Sequence, residues 1–465
     1  MYSSADIPYL LIALLLLLLS SSIASLFHRK KTVVFSLNEA ILLAISALAL
    51  ASMLGGYSSV TFGMISLNAF SYLFIFLFSL SLAFINLLAF SYSESFDTFS
   101  FFLALSFSGM FFISAATSLL EILLGFEMMA LPTVFMIIGE GKSRSEAAIK
   151  LFILGVVSVT VLVFAMSIIF SYDPSLSLSS IQSGSGALPY LLFLAIMLFI
   201  AALGVETALF PFNLWVPDVY QGAPGFVTAM MAGVNKKVAF VALIEILFVL
   251  LIGFKGTFAP ILAALSILTM FFGNLLAMVQ DNVKRMFAYS SISQAGYILI
   301  GMAAATQYGI TASLFQIITH AFMIIGAFSI VMWLESKNMH TIDDYSGLFR
   351  SNGFAAVSLT IFMLSMAGIP PLMGFYGKFL LFSSAAGSNL LYLAVIGIIN
   401  SFISIYYYGK VISSVFIKRE KRKERMPRGV MVAAGLLVLA IIVFGAYPQP
   451  VLHLASLAAS ALYQI

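Results

Sequence analysis

Two stretches decide how this chain is built: Phe210-Pro211-Phe212-Asn213-Leu214-Trp215-Val216-Pro217-Asp218 and Ala367-Gly368-Ile369-Pro370-Pro371-Leu372-Met373-Gly374. Each sets proline inside strongly apolar sequence, where it removes an amide donor and clashes with the preceding turn. In water such a break is an ordinary loop; in a bilayer the freed backbone must be buried in protein or line a hydrated cavity. The setting here is a bilayer. Of 465 residues 62% are hydrophobic and only 9% charged, with a mean hydropathy of +1.11, whereas a soluble domain carries roughly 25% charged residues. So little charge cannot cover a water-facing surface. The chain reads as an all-α membrane protein with discontinuous helices.

Outward from the breaks, apolar windows fall near 7–27, 33–54, 67–92, 100–118, 120–138, 146–171, 187–212, 226–252, 257–280, 285–305, 311–334, 353–385, 388–417 and 429–447, fourteen in all. At roughly 20 residues per span this predicts about fourteen transmembrane helices. The two broken windows lie five apart. Five is odd, so their surroundings face opposite ways across the membrane, as in inverted repeats whose interrupted helices mark an ion path. Met1–Phe27 reads as a first span and not as a secretory leader, because His28-Arg29-Lys30-Lys31 come after the apolar run and do not precede it.

Charge supports the alternation. Odd-numbered loops hold sixteen Lys and Arg: Arg29 to Lys31, Lys142, Arg144, Lys284, Arg285, Lys337, Arg350 and seven between Lys418 and Arg428. Even-numbered loops hold Lys255 alone. The positive-inside rule then puts the odd loops in the cytoplasm and both termini outside, in the cell (plasma or inner) membrane. The run Lys418–Arg428 serves that topology, and the tail after Tyr447 reads as a short amphipathic segment.

The remaining basic residues sit inside the windows: Lys150, Lys236, Lys237, Lys378 and Lys410. With them are Glu39, Glu121, Glu127, Glu146, Glu206, Glu245 and His320. Each such group costs about 2.5–3.5 kcal/mol on insertion scales, and is retained where it faces a partner or water. Glu121, Glu146 and Lys410 lie near helix ends, where snorkelling or capping explains them. Glu127, Lys236 and Lys378 lie deep, and point to a relay in which a moving charge displaces a proton.

Other classes are excluded or weakened. There is no cysteine, hence no disulfide and no thiolate-held cluster, and four scattered histidines make a poor metal set. Twenty-two Lys and Arg, mostly in loops, do not make a nucleic-acid surface. No Walker loop or Gly-x-Gly-x-x-Gly after a strand is present. An organic-solute transporter would need a polar substrate pocket, which the sequence does not suggest.

Longer strings carry a resemblance. They include Leu124-Gly125-Phe126-Glu127-Met128-Met129-Ala130-Leu131-Pro132, Ser145-Glu146-Ala147-Ala148-Ile149-Lys150, and Pro211 through Val219-Tyr220-Gln221-Gly222-Ala223-Pro224. Further on come Gly273-Asn274-Leu275-Leu276-Ala277, Val283 through Ile292, Gly374-Phe375-Tyr376-Gly377-Lys378 and Tyr447-Pro448-Gln449-Pro450. From about residue 100 to 450 the chain resembles subunit N of respiratory complex I, the proton-translocating NADH–quinone oxidoreductase. The Asp218-Val219-Tyr220-Gln221-Gly222-Ala223-Pro224 form favours subunit N over the sister subunits M and L.

That resemblance implies three N-terminal helices in 1–99, two inverted five-helix bundles near 100–252 and 257–417, and a last helix and tail in 418–465. It implies a fifth-helix Glu at Glu127, a sixth-helix Lys at Lys150, an eighth-helix Lys at Lys236 with Lys237 as the alternative, and a twelfth-helix Lys at Lys378. His320 and the breaks at Pro211 and Pro370 would support them. One departure stands out: Gly204-Val205-Glu206 puts Glu206 where the family commonly has lysine, so Glu127 and Glu206 form a like-charged pair that favours a shared proton. Asn213 stands where histidine is common, and histidine is also common in the stretch holding Gln294. No cofactor is expected in this chain; NADH, flavin, iron–sulfur clusters and quinone belong to partner subunits of the membrane arm and its attached domains. The alternative reading is a subunit of a multisubunit cation/proton antiporter without redox partners, which shares the fold.

Overall fold

The computed structural model describes residues 6–27, 30–55, 60–178, 189–417 and 423–463. Arg29, His28 and the stretch Lys418 to Arg422 of the basic run lie outside the described residues. Each of the fourteen windows holds helix. In chain order they are α1 (Asp6–Phe27), α2 (Lys31–Leu54), α3 (Ala69–Tyr92), α4 (Phe96–Ser114), α5 (Leu119–Ile137), α6 (Lys142–Phe170) and α7 (Pro189–Thr207). After them come short α8 (Val216–Gly222), α9 (Gly225–Met230) and α10 (Lys236–Glu245). The second half holds α11 (Lys255–Met278), α12 (Val283–Ala303), α13 (Gln307–Glu335), the single turn α14 (Leu348–Ser351), α15 (Gly353–Ala367), α16 (Met373–Gly387), α17 (Leu391–Phe416), α18 (Arg428–Ala446) and α19 (Gln449–Leu462). Among the described residues ten helices are long and apolar enough to cross a bilayer by length and composition, and Tyr9–Ile23 and Gly353–Ala367 are shorter apolar helices.

Two windows fall outside that set for visible reasons. The first, 226–252, is helical but twice widened, by π turns at Met231–Asn235 and Ile246–Leu250. The second, α12, carries Ser290, Ser291, Ser293 and Gln294, which lower its hydropathy while its face is turned inward. The tail reading is met by α19. A hairpin, β1 (Val60–Phe62) against β2 (Ile65–Leu67), was not expected between α2 and α3; Gly63 at φ 60° makes its turn, a conformation glycine adopts without penalty.

Both predicted breaks are present. The first parts α7 from α8, and the second parts α15 from α16, where Gly368 ends α15 at φ 88°. Their proline bonds Phe210–Pro211 and Pro370–Pro371 are both cis. Trp215 Nε1 donates to the carbonyl of Val205 (3.0 Å) and the Phe210 amide donates to Thr269 Oγ1 (3.1 Å). The freed backbone is therefore satisfied inside protein, as a bilayer requires.

Loop contacts sort the chain into two faces. Lys31 reaches the Ser93 carbonyl, Lys150 and Arg285 share Asp218, Lys284 pairs with Glu335, and Lys337 pairs with Glu424. These join the odd-numbered loops, and with them the described basic loop residues, on one face. On the other, bridges Ile65–Ala116 and Ser118–Ser177 tie together the second, fourth and sixth loops. Within the body, α4 crosses α5 where Gly109 and Gly125 meet, and α11 crosses α12 through Gly273 and Gly296. A Cβ on Gly109 would stand 2.8 Å from the Met129 amide nitrogen, and one on Gly296 2.8 Å from that of Met270.

Candidate functional site

The π turn at Met231–Asn235 sits immediately before Lys236 and Lys237. Such a turn adds a residue to the helix and re-aims the side chains beyond it, here two adjacent lysines that are both buried. Lys236 Nζ donates to Ser291 Oγ (3.0 Å) and to the Ser291 carbonyl (3.2 Å). Lys237 Nζ donates to the carbonyl of Ala232 inside the π turn (3.2 Å) and lies 2.6 Å from His320 Nδ1. An ammonium has only protons to give. Against a charged Lys237, Nδ1 accepts and the ring proton falls on Nε2, an atom buried without a partner among the described residues.

Lys236 also lines a cavity of about 50 Å³ with Glu127, Glu206, Thr133, Trp215 and Asn235. The departure at Glu206 thus stands in the same cavity as Glu127, with Lys236 as the nearby cation. Ser158, whose hydroxyl donates to the Ala202 carbonyl (2.9 Å), lies beside Glu206.

From there a ladder crosses the middle of the body. Ser291 and Gln294 are three apart on α12, and Gln316 and His320 four apart on α13, so each pair shares one helix face. Gln316 Nε2 donates to Gln294 Oε1 (3.0 Å), and Gln294 Nε2 donates to the Met366 carbonyl (3.2 Å) at the end of α15. The next carbonyl, that of Ala367, accepts from Lys378 Nζ (3.0 Å) and from Ser401 Oγ (3.0 Å). Lys378 Nζ also donates to Ser401 Oγ (2.9 Å) and stands 4.6 Å from the centre of the Tyr297 ring, a cation–π distance. The break at Pro370 therefore presents carbonyls that α15 leaves unpaired, and polar side chains take them. Beyond, Asn274, Asn400 and Tyr407 are hydrogen-bonded together, and Tyr408 bonds Ser290.

The structure thus places Glu127, Glu206, Lys236, Lys237, His320 and Lys378 along one polar line, with the break at Pro370 feeding it backbone carbonyls. Lys150 stands apart. It is half-exposed at the basic face, paired with Glu146 (2.7 Å) and Asp218 (2.7 Å). Asn213 is fully buried near the first break, and neither side-chain amide atom has a hydrogen-bond partner among the described residues. The residues expected to cap or snorkel do so: Glu121 accepts from Thr117 and from the Ser118 amide (3.1 Å), Glu146 pairs with Lys150, and Lys410 pairs with Asp281 (2.9 Å). Ser291, Gln316, Ser401 and Tyr297 were not singled out from sequence, being neutral groups on apolar helices. The i, i+3 spacing of Ser291 to Gln294 and the i, i+4 spacing of Gln316 to His320 were the available signals.

Comparison with known proteins gives the family and the fold. Residues 116–404 match the family described as NADH:quinone oxidoreductase/Mrp antiporter, TM. The chain is 33% identical over 419 residues to F(420)H(2) dehydrogenase subunit N of Methanosarcina mazei, covering 86% of this chain and 85% of that one. It is 36% identical to NADH-quinone oxidoreductase subunit N of Desulforamulus reducens, over 76% of this chain and 75% of that one. In structure it resembles a chain of respiratory complex I from Thermus thermophilus at TM-score 0.84 and 27% identity, covering 96% and 99% of the two chains. It also resembles a chain of the Mrp complex from Dietzia sp. at TM-score 0.92 and 20% identity, over 98% and 97%, a likeness of fold alone. The chain belongs to the NADH:quinone oxidoreductase/Mrp antiporter transmembrane family, among its subunit N members.

Proposed function

We propose that this chain is the membrane-arm subunit of a complex I-like oxidoreductase through which protons cross the bilayer while partner subunits pass electrons to quinone. The observation that carries the proposal is the buried line Glu127, Glu206, Lys236, Lys237–His320, Gln316–Gln294 and Lys378 in a body otherwise built of apolar helices. Ionisable groups at that depth are expensive, and are expected where ions move. The chain acts as a translocase subunit without a redox centre. In this reading NADH or another donor, flavin, iron–sulfur clusters and quinone are handled by partner subunits.

In this reading a charge shift at Glu127 and Glu206 is felt by Lys236, passes through the Lys237–His320 pair, and reaches Lys378 along the amide ladder. Buried atoms without partners among the described residues, Asn235 Oδ1, His320 Nε2, Gln316 Oε1 and Tyr297 Oη, are where water would complete the route. The glycine-mediated crossings of α4 with α5 and of α11 with α12 support two related halves near 100–252 and 257–417. The basic face lies in the cytoplasm of a cell (plasma or inner) membrane, which sets both ends of the chain outside. Lys150 and its partners hold the cytoplasmic mouth.

Purification of the native complex tests this against the antiporter reading. Iron–sulfur and quinone-site subunits should come with the chain, and quinone reduction in vesicles should drive uncoupler-sensitive proton movement. Cation–proton exchange with no redox subunit attached would overturn it.

A further inference from the structure

On the face opposite the basic one lies a second polar cavity, of about 290 Å³. Thr61 and Ser66 of the hairpin, Asn68 at the start of α3, Thr117 ahead of α5, and Ser177 surround it, and Glu245 at the end of α10 reaches into it. The Glu245 side chain is only 6% exposed, and its Oε2 has no hydrogen-bond partner among the described residues. Glu121 lies within electrostatic reach. The two carboxylates differ: Glu121 is satisfied as a helix cap by Thr117 and Ser118, whereas Glu245 is not. No Lys, Arg or His is among the described residues lining the cavity.

A buried carboxylate without a counter-charge is costly. Here the counter-charge has to arrive from outside the chain, through a cavity roomy enough for several waters. The surrounding hydroxyls and amide can orient such water. Along the helix, Glu245 stands nine residues beyond Lys236, roughly 13 Å. Val238, Val241 and Ala242 between them are fully buried, so no polar side chain of this helix joins the two. Glu245 thus opens to a cavity of its own.

We infer that Glu245 is the proton-exchange group of the face opposite the basic one. Its carboxylate takes a proton from hydronium in this cavity, giving a neutral carboxyl and water, and the reverse step returns the proton to that side. The inference rests on the proposed proton translocation, of which Glu245 would be the terminal station. Glu121, on α5, stays committed to its cap.

Infrared difference spectra of the purified complex in light and heavy water test the inference. The wild type should show a protonated, exchangeable carboxyl band that Glu245→Gln lacks. Thr61→Phe, at an exposed hairpin position on the cavity rim, should slow exchange of that band, and serves even if Glu245→Gln fails to assemble. In vesicles Glu245→Gln should lower proton translocation about a hundredfold or more, the range for loss of one positioned proton carrier. Identical carboxyl bands in wild type and Glu245→Gln, or a band that sodium abolishes and choline does not, would overturn the assignment. Normal translocation in Glu245→Gln but not in Lys378→Met would sink this inference alone, whereas normal translocation in both would sink the parent reading.

Discussion

Replacing Lys378 with methionine should abolish proton translocation and leave the fold almost as stable as before. The ammonium is 3% exposed and makes two hydrogen bonds, to the Ala367 carbonyl and Ser401 Oγ, and one cation–π contact with Tyr297. Charged hydrogen bonds contribute about 1.5–3 kcal/mol each and the cation–π contact about 1–2 kcal/mol. Against them stands the burial of an ammonium without a carboxylate beside it, a cost of several kcal/mol. The terms nearly cancel. Methionine keeps the length and apolar stem of the side chain, and the Ala367 carbonyl keeps Ser401 Oγ as donor, so no buried acceptor is orphaned. The variant complex should unfold within about 2 kcal/mol of wild type, reduce quinone, and acidify vesicles poorly or not at all. Two measurements decide: thermal unfolding of the purified complex, and protons moved per electron in vesicles. A normal proton-to-electron ratio would refute the place given to Lys378 in the line. A loss of stability well above 3 kcal/mol would show that the ammonium is a structural strut.

Glu335→Ala strands the buried Lys284 ammonium, which would keep only the Ala223 carbonyl (2.8 Å); it should cost about 3 kcal/mol or more in unfolding free energy, with partial recovery in the double variant with Lys284→Met. Asp218→Asn releases Lys150 and Arg285 together, but all three are about one-third exposed, so the loss should be near 1 kcal/mol and shrink further at high salt; an unchanged loss in strong salt would mean the cluster is drier than its exposure indicates. Gly109→Ala forces α4 away from α5 and should cost about 1–3 kcal/mol, whereas Gly409→Ala on α17, with open space around it, should be neutral or slightly stabilising in the same unfolding assay.

How much of this was legible beforehand depended on what each residue had to contrast with. Pro211 and Pro370 announced themselves because proline is costly in a spanning helix, and both breaks are there. Lys236 and Lys378 stood out as charges against apolar neighbours. Ser291, Gln316 and Ser401 did not, since a serine or glutamine in a helix is ordinary until the facing helix is known, and Gln294 drew notice only as a departure from histidine; the ladder belongs to the packing of α12 against α13 and α15. Lys150 looked like a further member because it sits in an apolar window, yet its nearest anions, Glu146 four residues away and Asp218 far along the chain, hold it at the basic face. The π turn that aims Lys236 and Lys237 left no mark in composition, because nothing local in Met231-Ala232-Gly233-Val234-Asn235 demands the extra residue. The hairpin over Val60–Leu67 was hidden by its shortness.

α13 has a hydropathy fit for lipid, yet the spanning part of its 29 residues is wholly buried inside the protein. α3 covers it from one end of the sequence, and α18 and α19 cover it from the other. Its sheath is thus complete only after the last two helices have been made. A nascent chain that has reached Phe416 still shows the flank of α13 to the bilayer, with His320 waiting behind it for a wall. Closure of the proton line against leakage is in that sense a late act of biogenesis, and a stop codon just before Arg428 should yield a membrane-inserted but unsealed protein.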